Sequence, residues 1–230
     1  MQTQWIMSVM AFVVALWAAA IPATCQTASS MTLLLVRHGQ AYSNLQPPPN
    51  VPREQLDTLT PQGIAAATAV GRYVKQYPVA AVVASPTGRT RQTAETIANE
   101  VELKEGFAEE AAFASVRMGT LPDGSWSNWE WRFSTWKAGD DPRPAGGESL
   151  ADATARAVRA VQALMPRHPG KAIVVVTHSD IVAALLGHAL GTPVAQRYQK
   201  HEVPLGSVSE ITITGQKEWQ VVKQGWRPGS

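Results

Sequence analysis

The chain is almost devoid of cysteine. One thiol, Cys25, occurs in 230 residues, and it lies in an apolar leader rather than in the body of the chain. Residues 31–230 therefore carry no disulfide, no thiolate nucleophile and no cysteine-type zinc site. Excess charge is also scarce. A net charge of +2 offers neither a nucleic-acid footprint nor an acidic tail. No internal repeat or long low-complexity stretch occurs. Histidines at metal-binding spacing are missing as well: His178-x-Asp180 has no His-x-His or His-Glu-x-x-His partner. The length suffices for one domain with a full core.

No charged side chain precedes Arg37, and Ile6 to Ile21 is almost wholly apolar. That run falls short of the ~20 apolar residues a membrane span needs, and it suits the core of a signal peptide. Ala18-Ala19-Ala20 and Ala23-Thr24-Cys25 both offer small-residue cleavage sites. Residues 1–30 are accordingly read as a leader and 31–230 as one domain. This expectation places the mature protein in the periplasm or outside the cell, with no stable membrane span. The leader has no Lys or Arg near its start, which favours the alternative of translation from Met31 and a cytoplasmic protein.

What the chain does contain is three apolar runs that end in charged or imidazole side chains. Leu33-Leu34-Leu35-Val36 leads into Arg37-His38-Gly39, and Ala80-Ala81-Val82-Val83-Ala84 precedes Ser85-Pro86-Thr87-Gly88-Arg89. Ala172 to Val176 ends in Thr177-His178. Such runs read as strands of a parallel sheet buried on both faces. Ligands of such sheets bind beyond the carboxyl ends of the strands. Arg37, His38, Arg89 and His178 are therefore expected on one edge.

Helical patterns separate the runs. Thr60-Pro61 reads as an N-cap with proline at the first helical position, opening a helix to about Gln76. Further helices are expected at Gly88–Asn99 and Leu150–Met165, and through Ile181–Leu190 with Ser179 as cap. Ser207–Thr214 and Trp219–Lys223 read as a hairpin, whose free edge offers a route to a homodimer. The stretch from Ala114 to Gly147 reads as irregular, lying over the strand ends. It holds Trp126, Trp129, Trp131 and Trp136. Three uses stay open for these: packing of the insertion, a lid for the organic part of a ligand, or a partner patch.

The motifs taken together resemble the histidine phosphatase superfamily, also called phosphoglycerate-mutase-like, from Met31 to about Val222. The resemblance rests on Leu35-Val36-Arg37-His38-Gly39 with Asn44 after it, and on Ser85-Pro86-x-x-Arg89-x-x-Gln92-Thr93-Ala94. Leu59-Thr60-x-x-Gly63, Gly146-Gly147-Glu148-Ser149 and Thr177-His178 complete it. It implies a three-layer α/β/α sandwich with a mostly parallel central sheet. It further implies a metal-independent phosphatase, with no cofactor and no nucleic-acid partner, that hydrolyses a small phosphorylated substrate.

In that scheme His38 attacks phosphorus and forms a phosphohistidine. Arg37 and Arg89 clamp the phosphate, and His178 adds a hydrogen bond or positive charge. Asn44, with Ser43, either touches the phosphate or stabilises the turn after His38. Arg91 is left as a structural charge. The family's proton donor maps best to Glu109 of Phe107-Ala108-Glu109, with Glu110 beside it and Glu130 as a further candidate. The usual Gly-x-Trp-x-Gly that follows is replaced by Ser115-Val116-Arg117-Met118-Gly119. Two rivals remain: a mutase using the same site, and a non-catalytic phospholigand-binding protein that has lost its proton donor. An imidazole nucleophile of ordinary pKa, ~6.5, would lose activity in acid.

Overall fold

The computed structural model describes residues 30–229 except 48, 216 and 217. The leader, Cys25 and both candidate cleavage sites lie outside the described residues. Six strands form one sheet: β1 (Ser30–Arg37), β2 (Val79–Ala84), β3 (Ala108–Glu109), β4 (Ala172–Thr177), β5 (Val208–Thr214) and β6 (Glu218–Trp226). Their order is β3-β2-β4-β1-β5-β6. β4 pairs in parallel with both β1 and β2, and β3 in parallel with β2, whereas β5 runs antiparallel to β1 and to β6. The expected terminal hairpin is thus β5–β6.

Alternate residues of these strands face two helical layers, because successive side chains in a strand point to opposite faces. Leu34, Val36, Val82, Val174 and Val176 pack on Val70, Val74, Ala94 and Ile97. These come from α1 (Pro61–Val74) and α2 (Gly88–Glu100). Leu33, Leu35, Val83, Ile173 and Val175 face the other way, onto Leu150, Ala157, Val161, Ile181 and Leu185. Those belong to α4 (Leu150–Leu164) and α5 (Ser179–Ala189). The three-layer sandwich follows from apolar runs too continuous to leave either sheet face wet.

Two helix starts differ from expectation or extend it. Thr60 caps α1 through its hydroxyl, which accepts from Gly63 N at 3.1 Å, with Pro61 first in the helix. At α5 the N-cap position belongs to His178, and Ser179 is already helical. The stretch 114–147, read as irregular, contains α3 (Trp129–Ala138). A short α6 (Arg197–His201) follows α5. Among the described residues no helix is long and apolar enough to cross a membrane.

Candidate active site

β2, β4 and β1 are neighbours that run the same way, with Arg37 opposite Thr177 and Ala84 opposite Val176. Their carboxyl ends are therefore level, and the residues just past them meet. Arg37, His38, Arg89 and His178 line one cleft of about 570 Å³, with Ser43 and Asn44 in its wall. A hollow of equal volume over β2 and α4 holds none of the four, so chemistry rather than size marks the site.

His38 is held in one tautomer. Its Nδ1 lies 2.7 Å from the Gly39 carbonyl oxygen, which only accepts, so Nδ1 carries the hydrogen. The lone pair then belongs to Nε2, which accepts from Arg89 Nε at 3.1 Å. Arg89 also donates from Nη2 to His178 Nδ1 at 3.2 Å. His178 Nε2 therefore holds the hydrogen and donates to Ser85 Oγ at 2.8 Å. The two imidazoles meet edge to face, with centroids 5.3 Å apart.

Both rings are buried and both face guanidinium groups. Burial first, then Arg89, pushes His38 from an ordinary 6.5 down to about 3. Burial, His38 and Arg89 likewise push His178 well below its usual value. Protonation of His38 is thereby moved far below the pH of an ordinary imidazole, because a buried cation beside a second cation is disfavoured.

Arg37 donates from Nη1 to the Val203 carbonyl at 2.5 Å, and the same nitrogen lies 3.6 Å from Glu202 Oε1. Its Nε is buried with no hydrogen-bond partner. A buried unsatisfied donor on a guanidinium is costly unless an oxyanion comes to it. Asn44 uses Oδ1 to accept from Ala41 N at 2.9 Å, so its oxygen stabilises the turn while the residue lines the cleft.

Glu109 is not part of this cleft. Arg91 Nε and Nη2 donate to its two oxygens at 2.8 and 2.7 Å. Arg91, led by its hydrogen bond, holds the exposed carboxyl below its usual range, the wrong direction for a proton donor. The reason is topological. Glu109 ends β3, three positions from β1 in the sheet order, a backbone separation of roughly 14 Å. Glu110 spends Oε1 on Ala112 N at 2.9 Å, and both glutamates line the other hollow. Glu130 is exposed on α3. The carboxyls that do line the cleft are Asp180 and Glu202. Asp180 is buried, which raises its pKa, and it accepts from Val116 N at 2.8 Å.

Several site residues carry no motif. Asp57 pairs with Arg89 Nη1 and accepts from Gly88 N at 2.6 Å, so it orients the guanidinium and the start of α2 together. Trp129, Phe133, Tyr198 and Glu202 form the outer cleft. Other motif residues fasten the scaffold. Gln92 Oε1 accepts from Leu59 N at 2.7 Å, and Thr93 Oγ1 accepts from Gly39 N at 3.1 Å. Glu148 and Arg156 form a doubly hydrogen-bonded pair, and Arg156 also donates to the Ala112 and Ala114 carbonyls. Among the described residues no cluster of His, Cys, Asp and Glu is disposed to hold a metal ion.

Residues 33–227 match the profile of the histidine phosphatase superfamily (branch 1). A 2,3-bisphosphoglycerate-dependent phosphoglycerate mutase of Methylobacterium radiotolerans is 33% identical over 165 residues, 67% of this chain and 76% of that protein. A solved structure described as mycobacterial hydrolase 1 superposes with a TM-score of 0.68 at 21% identity, covering 86% of this chain and 99% of the other. A mycobacterial glucosyl-3-phosphoglycerate phosphatase with VO3 gives a TM-score of 0.65 at 22% identity, over 86% and 99% of the two chains. At such identities the structural likenesses speak to the fold.

Proposed function

Because the chain belongs to the histidine phosphatase superfamily, we propose that it hydrolyses a small phosphomonoester through a phosphohistidine on His38 Nε2. The observation that carries this reading is the tautomer. Gly39 holds the proton on Nδ1, and the nucleophilic lone pair stands between Arg89 and His178. Nε2 attacks phosphorus in line, and the P–O ester bond breaks with its electron pair leaving on the alcohol oxygen. Arg37 Nε and Arg89 donate to the equatorial oxygens as charge builds there, while His178, whose Nε2–H is spent on Ser85, orients Arg89 through Nδ1. Water then attacks the phosphohistidine, which frees phosphate and restores the imidazole.

An alkoxide leaving group needs a proton. With Glu109 held away by Arg91, Asp180 and Glu202 are the carboxyls in reach of the cleft. An aryl oxide leaves without protonation, so an aryl phosphate tests the nucleophile directly. The purified protein in excess EDTA should release phosphate from p-nitrophenyl phosphate, and His38→Ala should abolish that release. Turnover that survives His38→Ala, or that needs added metal, refutes the proposal. A mutase is the second reading, favoured by the 33% identical relative. Isomerisation of 3-phosphoglycerate without phosphate release would decide for it.

A further inference from the structure

Three rings continue the cleft outward from the phosphate-facing groups. The Tyr198 hydroxyl donates to Glu202 Oε1 at 3.1 Å, and that oxygen lies 3.6 Å from Arg37 Nη1. Phe133 stacks on Tyr198 with centroids 4.9 Å apart, and Trp129 stacks on Phe133 at 5.5 Å. The ring series thus runs unbroken from the partner of Arg37 to the cleft mouth. Tyr198 is buried, whereas Trp129 and Phe133 are each 39% exposed.

The wall is rigid from behind. Trp136 is 1% exposed and contacts Phe133 and Tyr198 at centroid distances of 6.1 and 5.0 Å. Arg132, on the same helix, is fully buried and donates to the Pro142 and Glu148 carbonyls, each at 2.9 Å. Gln199 Nε2 ties α6 to α3 through the Trp136 carbonyl at 2.9 Å. The exposed parts of Trp129 and Phe133, held this firmly, offer a prepaid surface for a flat apolar group.

Charge adds the second constraint. The cations lining the cleft are Arg37 and Arg89, and both face the phosphate centre; the other charges are Asp180 and Glu202. A substrate with a second anionic group would set it against Glu202 with no third cation in the lining to receive it.

Resting on the phosphatase reading above, we propose that the substrate's alcohol portion is planar, apolar and free of a second negative charge. It lies on Trp129 and Phe133, while Glu202 selects against acidic esters.

The test compares kcat/KM of the full chain for 2-naphthyl phosphate, acetyl phosphate and 3-phosphoglycerate. Wild type should prefer 2-naphthyl phosphate to 3-phosphoglycerate. Trp129→Ala with Phe133→Ala should lower kcat/KM for 2-naphthyl phosphate roughly tenfold or more, through KM, since aromatic contacts carry affinity beyond their area. Acetyl phosphate has no ring, so its kcat/KM should fall far less than that for 2-naphthyl phosphate. Trp129→Ala alone, at the cleft mouth, serves if the double variant fails to fold. Glu202→Gln should lower the KM for 3-phosphoglycerate relative to that for acetyl phosphate, a change in binding that loss of a proton donor would not produce. Equal loss on both ring-bearing and ringless substrates, no loss at all, or a wild-type preference for 3-phosphoglycerate overturns the inference. Turnover that is absent for all three compounds, or that survives His38→Ala, instead overturns the phosphatase reading beneath it.

Discussion

Asp57 holds Arg89 from one side while two imidazoles hold it from the other. In the proposed reaction it is a positioning residue, since it acts only through the Arg89 guanidinium. Asp57→Asn keeps the shape but removes a charge-assisted bond, an interaction class worth ~1.5–3 kcal/mol. Phosphate release should fall roughly tenfold to a hundredfold, and circular dichroism should be unchanged. An Asp57→Asn variant with wild-type kcat/KM would show that Arg89 holds its pose without help. Asp57 lies two residues before Leu59-Thr60-x-x-Gly63 and outside it, so a reading confined to the motif passes over it. Arg37, His38, Arg89 and His178 were legible because each stands at the end of an apolar run.

At the scale of elements, the loop carrying His38 rests on α1 through two glycines. A Cβ on Gly63 would lie 2.1 Å from the Gln40 carbonyl oxygen, and one on Gly39 would lie 2.5 Å from the Gly63 carbonyl oxygen. Backbone has no flexible end to yield, so Gly63→Ala must push the loop away. Urea unfolding should show a loss of about 1–3 kcal/mol, as for overpacked cores, together with a severe drop in kcat. A variant of full stability and activity would mean that the loop is not seated there. The helix α3 shows the opposite relation between pattern and structure. Its apolar stripe is broken because Arg132 takes a buried position among Trp131 and Trp136. Periodicity therefore failed, although Asn128 as N-cap and left-handed Gly139 after the last turn bracket the helix correctly.

For the whole molecule, buried neutral imidazoles couple folding to pH. His38 titrates at about 3 when folded and at an ordinary 6.5 when unfolded. Between those values the unfolded chain binds the extra proton, so stability is present above pH 6.5 and is lost as pH falls. His178 shifts in the same direction, and each such group contributes up to ~1.4 kcal/mol per pH unit. The urea midpoint should therefore fall steeply between pH 7 and 5, and His38→Gln should flatten that slope. Equal slopes for the two proteins would show that His38 is not neutral in the fold. Asp180, whose pKa burial raises, acts in the opposite sense and softens the acid loss.

Strand runs and caps by themselves determined an alternating α/β chain with four groups converging on one edge, because parallel strands buried on both faces must deliver their ends together, and the resemblance that the motifs carry implied the three-layer sandwich. Tertiary structure alone decided which carboxyls line the cleft. The family resemblance pointed to Glu109, but strand order put β3 at the far edge and Arg91 within reach of it. It also decided what the tryptophans do: Trp136 fills the core and Trp129 faces the cleft. About two helical turns separate the two tryptophans, and packing against α6 chooses between burial and exposure.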